Sequence, residues 1–457
     1  MSDPERVAFE AVVRPSGGTS MFDDRFAAAK LTAPEAGRAS AAAAELQRLG
    51  FRIRHIGTYS ISGDGPRELW EQTFQTTLVR QDGVLSHLSG VPFRLPEQLV
   101  PLVERAYPQR PPTFFTQVSP LPPRVAYHHL RVPDDVALVL RASAVHEQGF
   151  TGRGVLVAMV DTGFYQHPFY EWHGYHLQAT LAPDAVGVDE DAEGHGTAEV
   201  ANVFAAARDV DLIGVKMGLN PTLAFKTAVD LHPAVITNSW GYDLTGEREL
   251  PNSLRPLEAA VVEAVEQKGI AVCFSAGNGH TAFPGMLPQV IAAGGVYASP
   301  TVAKRDFDLA ASDYASSFDS AIYPGRHVPD VCGLVGLLPK AVYLMLPVQP
   351  GNTIDAELAM TFPDGDDTAG TDGWAAISGT SAAAPQLAGV CALLKQARPD
   401  LTPAQLKAVL KASARDVTTG HSAMGDEAGR GPDGPTGAGL VDALAAYKLA
   451  RSLKSAG

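Results

Sequence analysis

The sequence predicts an α/β protein: a doubly wound, mostly parallel sheet with helices on both faces, preceded by a small α+β domain. Three observations predict it. Strand-length apolar runs recur through the last two thirds of the 457 residues. Helix-patterned stretches separate those runs, and strand–helix alternation implies parallel strands joined by right-handed crossovers. A proline-rich stretch sets off the first hundred or so residues, whose rhythm is different.

The first domain is expected over residues 1–107. Residues 7–13 have the apolar content of a strand. Thr32-Ala-Pro-Glu35 has the form of a capping box before an alanine-rich helix that ends near Gly50. Residues 51–56 alternate apolar and polar, as a half-buried strand does, and residues 58–62 suit a second strand. Pro66 opens a short helix through Phe74, and a strand follows at residues 77–80. The order β-α-β-β-α-β is the ferredoxin-like arrangement. Residues 108–133 carry Pro111, Pro112, Pro120, Pro122, Pro123 and Pro133 and are expected to form a linker with a possible processing site.

Residues 134–457 hold the second domain. Asp134 can cap a helix running to His146. Residues 155–160 (Val-Leu-Val-Ala-Met-Val) are fully apolar, as strands inside a parallel sheet are. Further buried strands are expected at 234–237, 270–274 and 290–293, with a helix at 256–267. Active sites of such sheets lie at the carboxyl ends of the strands.

Bulk properties exclude several classes. The net charge of −14 argues against nucleic-acid or anionic-membrane partners, which want a basic face. No apolar run reaches the ~18–20 residues of a membrane span. The N-terminus, Met1-Ser2-Asp3-Pro4-Glu5-Arg6, is polar and lacks a following apolar region, so a cytoplasmic setting is expected, with a trimmed leader or another secretion route as the alternative. Cys273, Cys332 and Cys391 are odd in number and form no CxxC pair, which disfavours a disulfide framework or thiolate zinc site.

Three segments fall where that sheet would place chemistry. Asp161-Thr162-Gly163 directly follows an apolar strand. Gly194-His195-Gly196-Thr197 opens a helix of small residues. Gly379-Thr-Ser-Ala-Ala-Ala-Pro385 precedes an apolar helix through Leu394. Acyl transfer by a serine needs a base within reach of its Oγ and a carboxylate that fixes the tautomer of that base. Asp161, His195 and Ser381 supply all three. Glycines beside His195 would keep the helix start slim, Gly379 would allow close backbone approach, and Pro385 would sit near the first turn, where a missing N–H is tolerated.

These segments resemble the subtilisin-like peptidase family. The resemblance implies a serine endopeptidase with Ser381 as nucleophile, His195 as base and Asp161 orienting that base. Phe274-Ser275-Ala276-Gly277-Asn278-Gly279 resembles the segment that supplies the oxyanion-hole amide, here Asn278. Asn238-Ser239-Trp240-Gly241 resembles the edge that pairs with extended substrate, with Trp240 where the family usually has Leu. Substrate contacts are thereby implied at Ser239, Trp240, Gly241, Ser275, Ala276 and Gly277. Residues 283–294 and Gly437-Ala-Gly-Leu-Val-Asp442 continue the likeness, and His167 reads as structural. Residues 50–63 resemble the prodomains of this family and of the sedolisins, which implies an N-terminal domain acting as an intramolecular inhibitor. A sedolisin would carry Glu in place of His195.

No cofactor is required by this reading. Asp364, Asp366, Asp367 and Asp372 make an acidic loop that suits calcium, an ion many family members bind. Glu190, Asp191 and Glu193 read as a solvated turn. The expected partner is a polypeptide substrate. The competing class is a catalytically silent, self-capped binding protein.

Overall fold

Aromatic side chains gather the N-terminal domain in the computed structural model, which describes residues 5–17, 20–22, 32–81, 84–112, 129–300, 307–339, 343–361 and 365–454. Phe9 lies with its ring centroid 5.2 Å from those of both Phe51 and Trp70, and Trp70 sits 4.5 Å from Phe74. Strand alternation decides which face they occupy. Along Arg6–Val13, Val7, Phe9, Ala11 and Val13 enter this core, whereas Glu10 and Val12 face the other way. Helices Arg38–Arg48 and Arg67–Phe74 contribute Leu46, Trp70 and Phe74 to the core.

The four strands run antiparallel in the order Arg52–Ile56, Ser60–Pro66, Arg6–Val13, Val103–Pro108, the ferredoxin-like order. The fourth strand differs from the expectation. Leu78–Gln81 pairs with Val84–His87 in a separate hairpin, and Val103–Pro108 takes the edge beside Arg6–Val13. The first helix also starts later than the capping box suggested. Gly37, in the left-handed region at φ 83°, precedes it, and no side chain caps it.

In the second domain seven strands lie in the order Phe307–Ala311, Ile291–Pro300, Ala271–Ser275, Val235–Asn238, Leu156–Asp161, Asp211–Lys216, His176–Leu181, with Val331–Leu334 also paired to Ile291–Pro300. All pairings are parallel except that of Phe307–Ala311. Burial on both faces explains the unbroken apolar runs. Val157 and Met159 join one core with helices His195–Ala206 and Thr380–Ala397, while Ala158 and Val160 join another with Pro221–Asp230 and Arg255–Val262.

The helix expected over 134–146 is two, Asp134–Val139 and Ala142–His146, because Arg141 between them turns to φ 60°. The helix near 256–267 is Arg255–Val262 followed by a π turn, Glu263–Gln267. The linker is shorter than 108–133 at both ends. Pro108 still belongs to a strand, and Leu130–Arg131 pairs with Leu344–Pro347; residues 113–128 lie outside the described residues. Among the described residues no helix is long and apolar enough to cross a membrane, and all three cysteines are buried and free.

Candidate active site

Three neighbouring strands deliver their carboxyl ends to one place. Asp161 ends the central strand Leu156–Asp161 and is fully buried. Its Oδ1 accepts from Nδ1 of His195 at 2.7 Å and from the Thr162 amide at 2.8 Å. Proximity to that carboxylate fixes the proton on Nδ1 and leaves Nε2 as the basic nitrogen.

His195 begins the helix His195–Ala206, and the glycines around it serve two different contacts. A Cβ on Gly196 would stand 2.3 Å from the Gly163 carbonyl oxygen, so the missing side chain lets the helix start lie close against the turn after the central strand. Gly194 turns to φ 99°, and a Cβ there would meet the Asn352 side chain at 2.0 Å. Gly194 offers no side chain to cap the helix; Asp191 does so instead. Its Oδ2 accepts from the Thr197 amide at 2.8 Å and the Thr197 hydroxyl at 2.6 Å, and its Oδ1 accepts from the Gly194 amide and the Thr162 hydroxyl. Thr162 Oγ1 in turn accepts from the Gly196 amide at 3.0 Å. Asp191 is therefore a buried cap and not part of a solvated turn.

Ser381 is the second residue of the helix Thr380–Ala397, whose first amides have no carbonyl of their own helix to bond. Pro385 lies deeper in that helix than the first turn. Having no N–H, it leaves the Ser381 carbonyl, four residues back, without its helical donor. The Ser239 hydroxyl fills the gap, donating to that carbonyl at 2.8 Å. The Ser381 hydroxyl answers by donating to the Ser239 carbonyl at 3.3 Å. Ser239 follows the strand Val235–Asn238, which pairs with the Asp161 strand. The helices Thr380–Ala397 and His195–Ala206 pack together where Gly389 lies against Ala206 and the Val203 carbonyl.

Asn278 follows the next strand, Ala271–Ser275. Its Oδ1 accepts from both the amide and the hydroxyl of Thr380, each at 3.0 Å. Thr380 Oγ1 also accepts from the Gly277 amide at 3.1 Å. The side-chain oxygen of Asn278 is thus held by the residue preceding Ser381. Ser275 and Ala276 are buried beside it. Gly241 leads into Tyr242–Asp243, which pairs with Ala282–Phe283. Trp240 does not present its ring as a wall. Its side chain is 1% exposed, donates through Nε1 to the Val160 carbonyl at 3.0 Å, and packs edge-on against Phe274. His167 caps the helix Pro168–His173, accepting at Nδ1 from the Phe169 amide.

Electrostatics at His195 pull in opposite directions. Burial disfavours the imidazolium, but the charge and hydrogen bond of Asp161, then the charges of Glu199 and Asp191, outweigh it and raise the pKa to about 9. Glu199 is a residue the sequence did not single out. It is buried one turn beyond His195, with Oε1 4.0 Å from Nε2, and burial raises its pKa to about 7 against the opposing pull of His195. One signal was available: a lone acidic residue inside an otherwise apolar and small-residue helix.

The acidic loop does not fit calcium in the part that is described. Asp364 lies outside the described residues. Asp366 spends Oδ1 on the amide and hydroxyl of Thr368 and Oδ2 on the Ala376 amide. Asp372 accepts from the Ala369 and Trp374 amides. Among the described residues no group of three or more His, Cys, Asp or Glu side chains is placed to hold a metal ion.

The subtilase family model matches residues 152–439. The chain is 31% identical to serine protease AprX of Bacillus subtilis (strain 168) over 294 residues, covering 58% of this chain and 62% of that protein. It is 24% identical to subtilisin BL of Lederbergia lenta over 320 residues, covering 68% of this chain and 96% of that one. The crystal structure of fervidolysin from Fervidobacterium pennivorans, a keratinolytic enzyme related to subtilisin, shares the fold with a TM-score of 0.58 at 17% identity, covering 98% of this chain and 61% of that chain. The chain thus spans less than two thirds of the length of AprX and of fervidolysin. With the Asp161–His195 pair, the Ser381 helix and the Asn278 turn all inside the matched segment, the chain belongs to the subtilase family, a family of serine peptidases.

Proposed function

We propose that the protein is a serine endopeptidase that cleaves extended polypeptide through an acyl-enzyme and is made as a self-inhibited zymogen. The observation that carries the catalytic part is the Asp161–His195 hydrogen bond at 2.7 Å beside a nucleophile at a helix start. Ser381 Oγ leaves the Ser239 carbonyl and attacks the scissile carbonyl carbon while its proton passes to Nε2 of His195. Asp161 holds the resulting imidazolium through Nδ1–H. The oxyanion lies between Nδ2 of Asn278 and the Ser381 amide, where the helix dipole also favours negative charge. Collapse breaks the C–N bond as Nε2 returns the proton to the leaving amine. Water then repeats the sequence on the ester and frees Ser381.

The inhibitory role of the N-terminal domain is supported by where it sits. Its sheet rests on the helix Pro221–Asp230 through the buried Glu10–Lys226 pair at 2.6 Å and on Arg255–Val262 through Val12 and Tyr59 against Ala259. Thr222 donates to Gln109 at 2.9 Å, and the Tyr242 hydroxyl to the Arg110 carbonyl at 3.3 Å. The chain leaving the domain therefore passes Tyr242, next to the substrate edge expected at Ser239, Trp240 and Gly241. A cytoplasmic setting remains part of this reading, tested by fractionation of cells expressing the chain.

The catalytic reading is tested with a fluorophosphonate probe. Labelling of the chain, abolished in Ser381→Ala, is the expected result. Absence of labelling after removal of the N-terminal domain by limited proteolysis would favour the silent binding protein instead.

A further inference from the structure

We propose that Glu199 is a second carboxylate serving His195, a positioning residue that stabilises the imidazolium from the Nε2 side and so sets the acid limit of activity. The inference rests on the reading of His195 as the base. Residues four apart on a helix share a face, and here the pair brings Oε1 of Glu199 to 4.0 Å from Nε2 of His195, with both side chains about 3% exposed or less. Nε2 is the nitrogen that takes up the nucleophile's proton, whereas Asp161 engages Nδ1.

The orientation of Glu199 is fixed by other side chains. Its Oε2 accepts from Asn202 Nδ2 at 2.9 Å. Asn202 Oδ1 accepts from Gln386 Nε2 at 3.0 Å, and Gln386 Oε1 accepts from the Leu334 amide at 2.7 Å. This buried polar ladder crosses from the base helix to the nucleophile helix, in an interface otherwise built of alanine, glycine and branched aliphatics. A polar chain in such a place keeps a single geometry because every member loses a partner if one moves.

The charges around His195 are all negative. Asp161 faces it from the central strand, Asp191 from the preceding loop and Glu199 from its own helix. The packed segment of the nucleophile helix, residues 380–394, carries no charged side chain. A carboxylate at 4.0 Å in a buried site favours the charged imidazole. The base form of His195 then emerges only at alkaline pH, in the direction of its raised value of about 9.

The experiment follows the His195 ring itself, so it does not depend on turnover. Full-length Ser381→Ala protein, labelled at the histidine ring carbons, is titrated by NMR, with the His195 signal assigned by its loss in His195→Gln. The expected midpoint lies well above the ordinary histidine value of about 6.5. Glu199→Gln keeps an acceptor for Asn202 but removes the charge, and is expected to lower the midpoint by about one pH unit or more. Glu199→Val, which asks no partner of its site, is the second variant should the first fail to fold. In the chain with Ser381 intact, the acid limb of the fluorophosphonate labelling rate should move with the midpoint. An unchanged midpoint in a folded Glu199 variant, or a parent midpoint at the ordinary value, overturns the proposal. Absent labelling with a shifted midpoint counts against the peptidase reading alone.

Discussion

An asparagine amide is a directed donor only when its oxygen end is held, and Thr380 holds that of Asn278 with two hydrogen bonds. The residue before Ser381 therefore holds Asn278 in place, which ties the two motifs into one unit. Asn278→Ala is expected to lower kcat by about 10²–10³ with little change in KM, a size taken from removal of the like donor in a subtilisin, or about 3–4 kcal/mol of transition-state stabilisation. Steady-state kinetics on a peptide substrate check this. A fall in kcat/KM carried by KM alone would mean that Asn278 binds substrate and does not meet the oxyanion. Ser239 shows the same economy of parts. Pro385 removes a backbone donor, and the Ser239 hydroxyl replaces it, so a proline inside a helix is tolerated one turn from the nucleophile.

At the scale of the element, the His195 helix is the informative case. Its cap residue is Gly194, chosen by a close contact with Asn352, and so its first turn must be capped from elsewhere. Asp191 supplies the acceptors, at the helix end where a carboxylate is also favoured by the dipole. Asp191→Ala strands buried amides and hydroxyls and is expected to cost about 3 kcal/mol of stability. Chemical denaturation of the Ser381→Ala background measures it, and a loss below about 1 kcal/mol would show that water replaces the cap. This element also shows how far the sequence reaches. Asp161 and His195 were legible as a pair, and Ser381 as a candidate nucleophile, because the chemistry they would perform dictates residue type and strand–helix context. Asp191 and Glu199 were not, because burial of an acidic residue is decided by what packs over it. Among its neighbours Glu190 and Glu193, Asp191 looked like one charge of a solvated run. The fourth strand of the N-terminal domain escaped for a related reason: Val103–Pro108 is an edge strand chosen by pairing with Arg6–Val13, while the more regular Leu78–Gln81 pairs locally. Trp240, expected to contact substrate, has its ring claimed by the core beneath the sheet.

At the scale of the whole molecule, the contact between the two domains differs in kind from the cores within them. Each domain closes its own apolar cluster, and the shared one is small: Val12, Met21, Tyr59 and Ala259, with Phe22 against it. Polar contacts surround it, including His55 with Asp230, Arg54 with the Pro183 carbonyl and Gln267 with the Tyr59 hydroxyl. A small apolar contact ringed by polar ones suits an interface that can open. Its strongest feature is the Glu10–Lys226 pair, where Asn220 donates to the second carboxylate oxygen at 3.1 Å and Lys226 also reaches Ser62. Burial alone would raise the pKa of Glu10, but the charge and hydrogen bond of Lys226, with hydrogen bonds from Ser62 and Ser60, hold it below the ordinary carboxylate range. The sign follows from linkage. A group with a lowered pKa in the docked form contributes to docking fully above its undocked value, and that contribution is lost as pH falls through the lowered one. Removing one partner of a buried pair leaves an uncompensated charge and costs about 3–5 kcal/mol. If the N-terminal domain covers Ser381, Lys226→Met should therefore speed fluorophosphonate labelling of the full-length chain at about pH 9, where the base form of His195 is present. Glu10→Gln in the same chain removes the stranded charge and should restore part of the slow labelling. Equal labelling rates in the parent, the single and the double variant would separate the interface from the active site and leave the N-terminal domain as an accessory module.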